Sequence, residues 1–143
     1  MRELARQQGL EGCVTLAGWV DRAGVKEALA DGDVVVMPSF EENFGMAAAE
    51  AMAAARPVVV GRGVNLAADI LTAGAGLVVD RTAPSFADAL LRLAREPADR
   101  VAMGLKGRAW ARSHFSVAAV GRQMVAAYES ARRSARCGEC APA

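Results

Sequence analysis

The sequence predicts an α/β protein organised on a parallel sheet of the doubly wound, Rossmann-like kind, present only in part. Three observations carry that expectation. Short β-branched runs recur at Asp33-Val34-Val35-Val36-Met37 and Pro57-Val58-Val59-Val60, with a further apolar run at Leu77 to Asp80, and they read as buried strands. Ala-rich stretches without internal Pro or Gly lie between them, Met46 to Ala55 being the clearest, and read as helices. Strand and helix alternate, which is the pattern of a parallel sheet covered by helices.

Met1 to Gln8 is a polar helix start, without the apolar run of a signal peptide. Val14–Gly18 is the first expected strand and Ala23–Ala30 the helix after it. Asp33–Met37 is the second strand, closed by Pro38, which donates no ladder hydrogen bond. Helix Met46–Ala55 leads to strand Pro57–Val60, a short turn near Leu66–Thr72 and strand Leu77–Asp80. Helices Ser85–Arg95, Ala98–Ser113 and Val117–Arg133 complete the chain. In the strand order 3-2-1-4-5-6 these four strands are the third to the sixth, and the first two, which would separate Val14–Gly18 from Asp33–Met37, are missing. The sheet then leaves an apolar edge open, pairs those two strands directly, or relies on another chain.

Composition fits a globular protein and excludes several classes. Of 143 residues 53% are hydrophobic and 23% charged, with 17 Lys and Arg against 16 Asp and Glu and a net charge of +1, so no polyanion or nucleic-acid partner is expected. No run approaches the roughly 18 apolar residues of a membrane span. The expected location is the cytoplasm.

The motif with chemical content is Ser39-Phe40-Glu41-Glu42-Asn43-Phe44-Gly45-Met46-Ala47-Ala48-Ala49-Glu50. Glu42 falls in the loop between strand and helix. A helix starting near Phe44 or Gly45 presents unpaired N–H groups and a partial positive end, which suits a phosphate, and Gly45 keeps the approach open. Glu50 lies more than a turn into the helix, and helical side chains lean back toward the N-terminus. Two carboxylates then flank one anion site, and carboxylates accept hydrogen bonds from neighbouring sugar hydroxyls. The plainer reading is an exposed Glu favoured near a helix start by about 0.3–1 kcal/mol with no ligand at all.

The wider pattern favours the ligand. Val14-Thr15-Leu16-Ala17-Gly18-Trp19-Val20, then Ala30 to Ser39, then Glu42-Asn43-Phe44-Gly45 with Glu50-Ala51-Met52-Ala53, then Pro57-Val58-Val59-Val60, Gly74-Ala75-Gly76-Leu77-Val78-Val79 and Phe115-Ser116 occur in that order. From Val14 to about Tyr128 the chain resembles the C-terminal, donor-binding half of the retaining GT-B glycosyltransferases of family 4, the group 1 glycosyl transferases. The resemblance implies a partial C-terminal GT-B domain over residues 1–129, followed by a disordered tail over 130–143. It implies a nucleoside diphosphate sugar as donor, with Glu42 as the catalytic residue at the transferred sugar and Glu50 on the ribose. Asn43, Phe44, Gly45 and Met46 would contact sugar and phosphate through the backbone, and Val20 the base. No metal or cofactor is implied, and the acceptor is left open.

The chain departs from that family at several points. Family members usually carry Gly where this chain has Ala55, so Ala55 is expected to avoid the left-handed cap and reshape the exit toward Pro57. The N-terminal Rossmann-like domain, and the Gly-rich strand and basic residues that open the C-terminal domain, have no counterpart. The chain therefore resembles a truncated member, inactive in sugar transfer without the missing domain. Two alternatives stay open, a non-catalytic nucleotide-sugar-binding or interaction module that complements an N-terminal GT-B domain, and a non-functional product with Met1 an internal methionine.

Other features have plainer readings. Asp31-Gly32-Asp33 imitates an Asp-x-Asp metal clamp, but Asp33 opens a strand. Cys137-Gly138-Glu139-Cys140 lacks the second pair that zinc needs, since the other cysteine is the distant Cys13. His114, beside Trp110 and Phe115, is read as a capping or packing residue. Val117, Val120, Met124 and Tyr128 recur at helical spacing as a packing stripe. With Arg132, Arg133 and Arg136 close by, peripheral membrane association is the alternative use of that helix.

Overall fold

The structure, a computed structural model, describes residues 1–138 and divides into two compact units, Met1–Asp31 and Gly32–Ala143. In the first unit α1 (Arg2–Gln7) is held by Glu3, whose carboxylate accepts from Arg6 at 2.8 Å and Gln7 at 3.3 Å. Helix α2 (Arg22–Asp31) begins where the Asp21 carboxylate accepts from Gly24 N–H at 2.8 Å, an N-cap. The expected strand at Val14–Gly18 is not formed. Those residues have no ladder partner, and Val14, Leu16, Trp19 and Val20 are exposed. A β-branched sequence becomes a strand only when another strand takes up its hydrogen bonds.

The second unit holds a parallel sheet of three strands, β1 (Val35–Met37), β2 (Val58–Gly61) and β3 (Gly76–Val79), in the order β1-β2-β3. Val35 pairs with Val58 and Val58 with Gly76, so each strand is joined to the next by a crossover. The sheet therefore has three strands where four were expected, and its order matches the fourth to sixth strands of a doubly wound domain. Strand β2 is buried along its whole length, as a central parallel strand covered on both faces must be. Val59 packs with Ala89 and Leu93 of helix α5 (Ala83–Arg95), and Phe86, Leu77 and Met103 close that cluster. Helix α3 (Met46–Ala53) packs against β1, β2 and α6 (Pro97–His114).

Helix ends follow local chemistry. Thr82 caps α5 by accepting from Ser85 N–H at 3.3 Å, with Pro84 in the first turn. Arg100 of α6 donates to the Leu93 and Ala94 carbonyls at 2.7 and 3.2 Å, answering orphan acceptors at the end of α5. The short turn expected near Leu66–Thr72 is instead helix α4 (Ala67–Ala73), closed by Gly74 at φ 62°. Ala55 also differs from expectation, because it adopts the left-handed conformation at φ 58°. Helix α7 spans Val117–Gly138, so the expected tail at 130–143 starts on a helix; residues 139–143, with Cys140, lie outside the described residues. Among the described residues no helix is long and apolar enough to cross a membrane.

Candidate functional site

In open parallel sheets, ligands bind beyond the carboxyl ends of the strands, because the connecting loops and helix N-termini meet there. In the second unit those ends are followed by the segments 38–45, 62–66 and 80–82. The first is the segment singled out from the sequence. Pro38 ends the β1 ladder, and the chain turns through Ser39 to Gly45 before α3 starts. Gly45 is the N-cap residue at φ 90° and ψ 52°, a left-handed conformation that glycine adopts without strain. A methyl group there would also come within 3.0 Å of Val64 and 3.1 Å of Met37. Helix α3 has no side-chain cap hydrogen bond and no acidic residue in its first turn, so no side chain of its own answers the N–H groups at its positive end.

Glu42 is half-buried and sits in an isolated parallel bridge with Val64. Its N–H donates to the Gly63 carbonyl, and its carbonyl accepts from Asn65 N–H, both at 3.2 Å. Asn65 Nδ2 further donates to the Asn43 carbonyl at 2.9 Å. Arg81 Nη1 donates to the Phe40 carbonyl at 2.7 Å, and its guanidinium carbon lies 3.1 Å from the centre of the Phe40 ring. Arg62 and Asp80 form an exposed ion pair at 2.6 Å between the other two segments. Asn65 and Arg81 were not found from sequence, since each acts on a segment far from it in the chain and belongs to no local motif.

Phe44, Met46 and Glu50 line a cavity of about 710 Å³ together with Asp69, His114 and Phe115. Phe44 meets Phe115 edge to face, ring centres 5.5 Å apart. Trp110 donates its indole N–H to Asp69 at 3.1 Å and stacks on His114 at 3.9 Å. His114 Nδ1 lies 3.1 Å from the Trp110 carbonyl and 2.8 Å from Ser113 Oγ, the setting of a packed helix-end residue. Glu42, Asn43 and Gly45 do not line this cavity, and the sequence-expected set is thus joined through the backbone of one loop and helix start rather than through one pocket. Val20 belongs to the first unit. Among the described residues no three His, Cys, Asp or Glu side chains form a cluster that could hold a metal ion, and Asp33 lies 3.9 Å from Arg100.

The family model described as glycosyl transferases group 1 matches residues 1–96. The chain is 39% identical over 115 residues to D-inositol 3-phosphate glycosyltransferase of Kineococcus radiotolerans, covering 74% of this chain and 26% of that one. Sucrose-phosphate synthase from Thermosynechococcus elongatus superposes with a TM-score of 0.82 at 28% identity, covering 93% of this chain and 34% of that one. The C-terminal domain of a group 1 family glycosyl transferase from Francisella tularensis shares the fold, with a TM-score of 0.74 at 23% identity, covering 81% of this chain and 60% of that one. The chain spans about a quarter of the length of that D-inositol 3-phosphate glycosyltransferase.

Proposed function

Since this chain belongs to the group 1 glycosyl transferases and has the α/β fold of a GT-B enzyme's C-terminal domain, we propose that it is the donor-binding half of a retaining transferase. Such an enzyme moves a hexose from a nucleoside diphosphate sugar to an acceptor hydroxyl. The observation that carries the reading is the uncapped start of α3 behind Gly45, at the carboxyl end of a parallel strand, with Glu42 before it and Glu50 within it. The two similar proteins are named for different molecules, D-inositol 3-phosphate and sucrose phosphate, which supports a shared donor half rather than a shared acceptor site.

In this reading the diphosphate faces the N–H groups at the start of α3. When the bond between the anomeric carbon and the phosphate oxygen breaks, negative charge grows on that oxygen. Fixed dipoles already aimed at it lower the barrier without reorganising. Glu42 positions the transferred sugar by hydrogen bonding or charge, and Glu50 accepts from the ribose diol. Asn43, Phe44, Gly45 and Met46 contribute main-chain contacts, and Val20 reads the base through its backbone. The chemistry calls for no metal and no cofactor.

Residues 1–129 form the nucleotide-sugar-binding domain, and the protein works in the cytoplasm. The exposed apolar side chains of α7, Val117, Met124, Val125 and Tyr128, suit a complementing N-terminal GT-B domain, with a membrane surface as the rival occupant. Glu42→Ala and Glu50→Ala test the site. Each removes charge-assisted hydrogen bonds worth about 1.5–3 kcal/mol, so calorimetry should record donor binding weaker by roughly 10- to 150-fold. Unchanged affinity in both variants removes the assignment.

A further inference from the structure

The loop that carries Glu42 has almost no regular structure of its own, yet four of its main-chain groups are bonded to groups from the other two strand ends. Both main-chain groups of Glu42 are engaged, its N–H by the Gly63 carbonyl and its carbonyl by Asn65 N–H. The carbonyls on either side are taken as well, Phe40 by the Arg81 guanidinium and Asn43 by the Asn65 amide. Arg81 also covers the face of the otherwise exposed Phe40 ring, at 3.1 Å from its centre. Gly63 lets the two segments close, because a side chain there would collide with the Phe40 carbonyl oxygen.

We propose that Arg81 and Asn65 are positioning residues for Glu42, holding the 39–45 loop in the conformation that receives the donor. The proposal rests on the donor reading of the site. Its physical content is preorganisation. With both main-chain groups of Glu42 bonded, its side-chain torsions are the main freedom left to order when ligand arrives, and the entropy of fixing the loop is met on folding. Arg81 suits the task because a planar guanidinium can stack on a ring and donate to a carbonyl at once. Asn65 suits it because its main-chain N–H and its side-chain amide reach two successive carbonyls.

The test uses the intact 143-residue chain and its Arg81→Ala, Arg81→Lys and Asn65→Ala variants, with UDP-glucose and GDP-mannose as probes. Amide hydrogen exchange at Glu42 and residue 65 reports the clamp directly, and Val59 and Val60 in β2 serve as controls. In Arg81→Ala and Asn65→Ala the loop amides should exchange roughly tenfold faster while the β2 amides keep the parent's protection. Affinity for the probe that binds the parent should fall several-fold, and Arg81→Lys, which keeps a cation and a donor but loses the planar stack on Phe40, should recover only part of both losses. Unchanged loop exchange overturns the positioning role, as does loosening that spreads equally to β2, or loosening without loss of affinity. Failure of the parent chain to bind either probe counts instead against the donor reading, and the exchange result stands apart from it.

Discussion

Ala55 holds a conformation that costs an L-residue about 1–2 kcal/mol relative to glycine's freedom there. The end of α3 explains why it is tolerated. Arg56 N–H reaches back to the Ala51 carbonyl at 2.9 Å and Ala55 N–H to Met52 at 3.0 Å, a left-handed closure that satisfies orphan carbonyls. Gly104 of α6 then leaves room for the Ala55 carbonyl, which a methyl group would strike. Ala55→Gly should therefore stabilise the protein by about 0.5–1 kcal/mol, net of the larger unfolded-state entropy of glycine. The urea midpoint should rise with an unchanged slope, and a fall would mean that the left-handed strain is not there to relieve. Gly104→Ala should move the midpoint the other way, by about 1–3 kcal/mol. Reading the sequence alone placed Ala55 outside the left-handed region, because local preference is visible in a sequence and the contact with Gly104 that overrides it is not.

At the scale of elements, what the sequence revealed were the pieces whose cause is local or repeated. The run of valine at β2 is legible because a strand buried on both faces has no polar alternative, and the run at β1, whose Val36 is exposed, is legible from its β-branched composition. Helices α5 and α6 are legible because Pro84 and Pro97 mark their first turns. Val14–Gly18 has the same composition as a strand but lacks a neighbour to bond, and composition does not contain the neighbour. The candidate site divides in the same way. Glu42, Gly45 and Glu50 stand in one local motif, whereas Asn65 and Arg81 reach it only after the sheet has brought three loops together. The packing of α5 on β2 yields a direct test. Leu93 is fully buried against Val59, so Leu93→Ala should cost about 2–5 kcal/mol, while Leu91→Ala, 51% exposed on the same helix, should stay within about 0.5 kcal/mol. Denaturant unfolding of the two variants compares them, and equal losses would contradict the placement of the helix face.

Across the whole molecule, binding a donor and transferring its sugar place different demands on a protein. The donor binding proposed for this chain uses the strand ends, the start of α3 and the two carboxylates, all of which lie within Gly32–Ala143 apart from the contribution proposed for Val20. Transfer also needs an acceptor hydroxyl held near 3 Å from the anomeric carbon with water kept away, and much of the rate of such a reaction comes from that positioning. The chain spans 26% of the curated relative and 34% of the synthase with which it superposes, and the surface proposed here faces a donor only. Purified 143-residue chain should therefore bind a sugar nucleotide without transferring its sugar. Incubation with UDP-glucose or GDP-mannose and a panel of polyol and sugar-phosphate acceptors, followed by mass spectrometry, checks this. Glycosylated acceptor above the level of the Glu42→Ala variant would show that the chain supplies the acceptor geometry as well, and that the domain proposed to complement it is not needed for turnover.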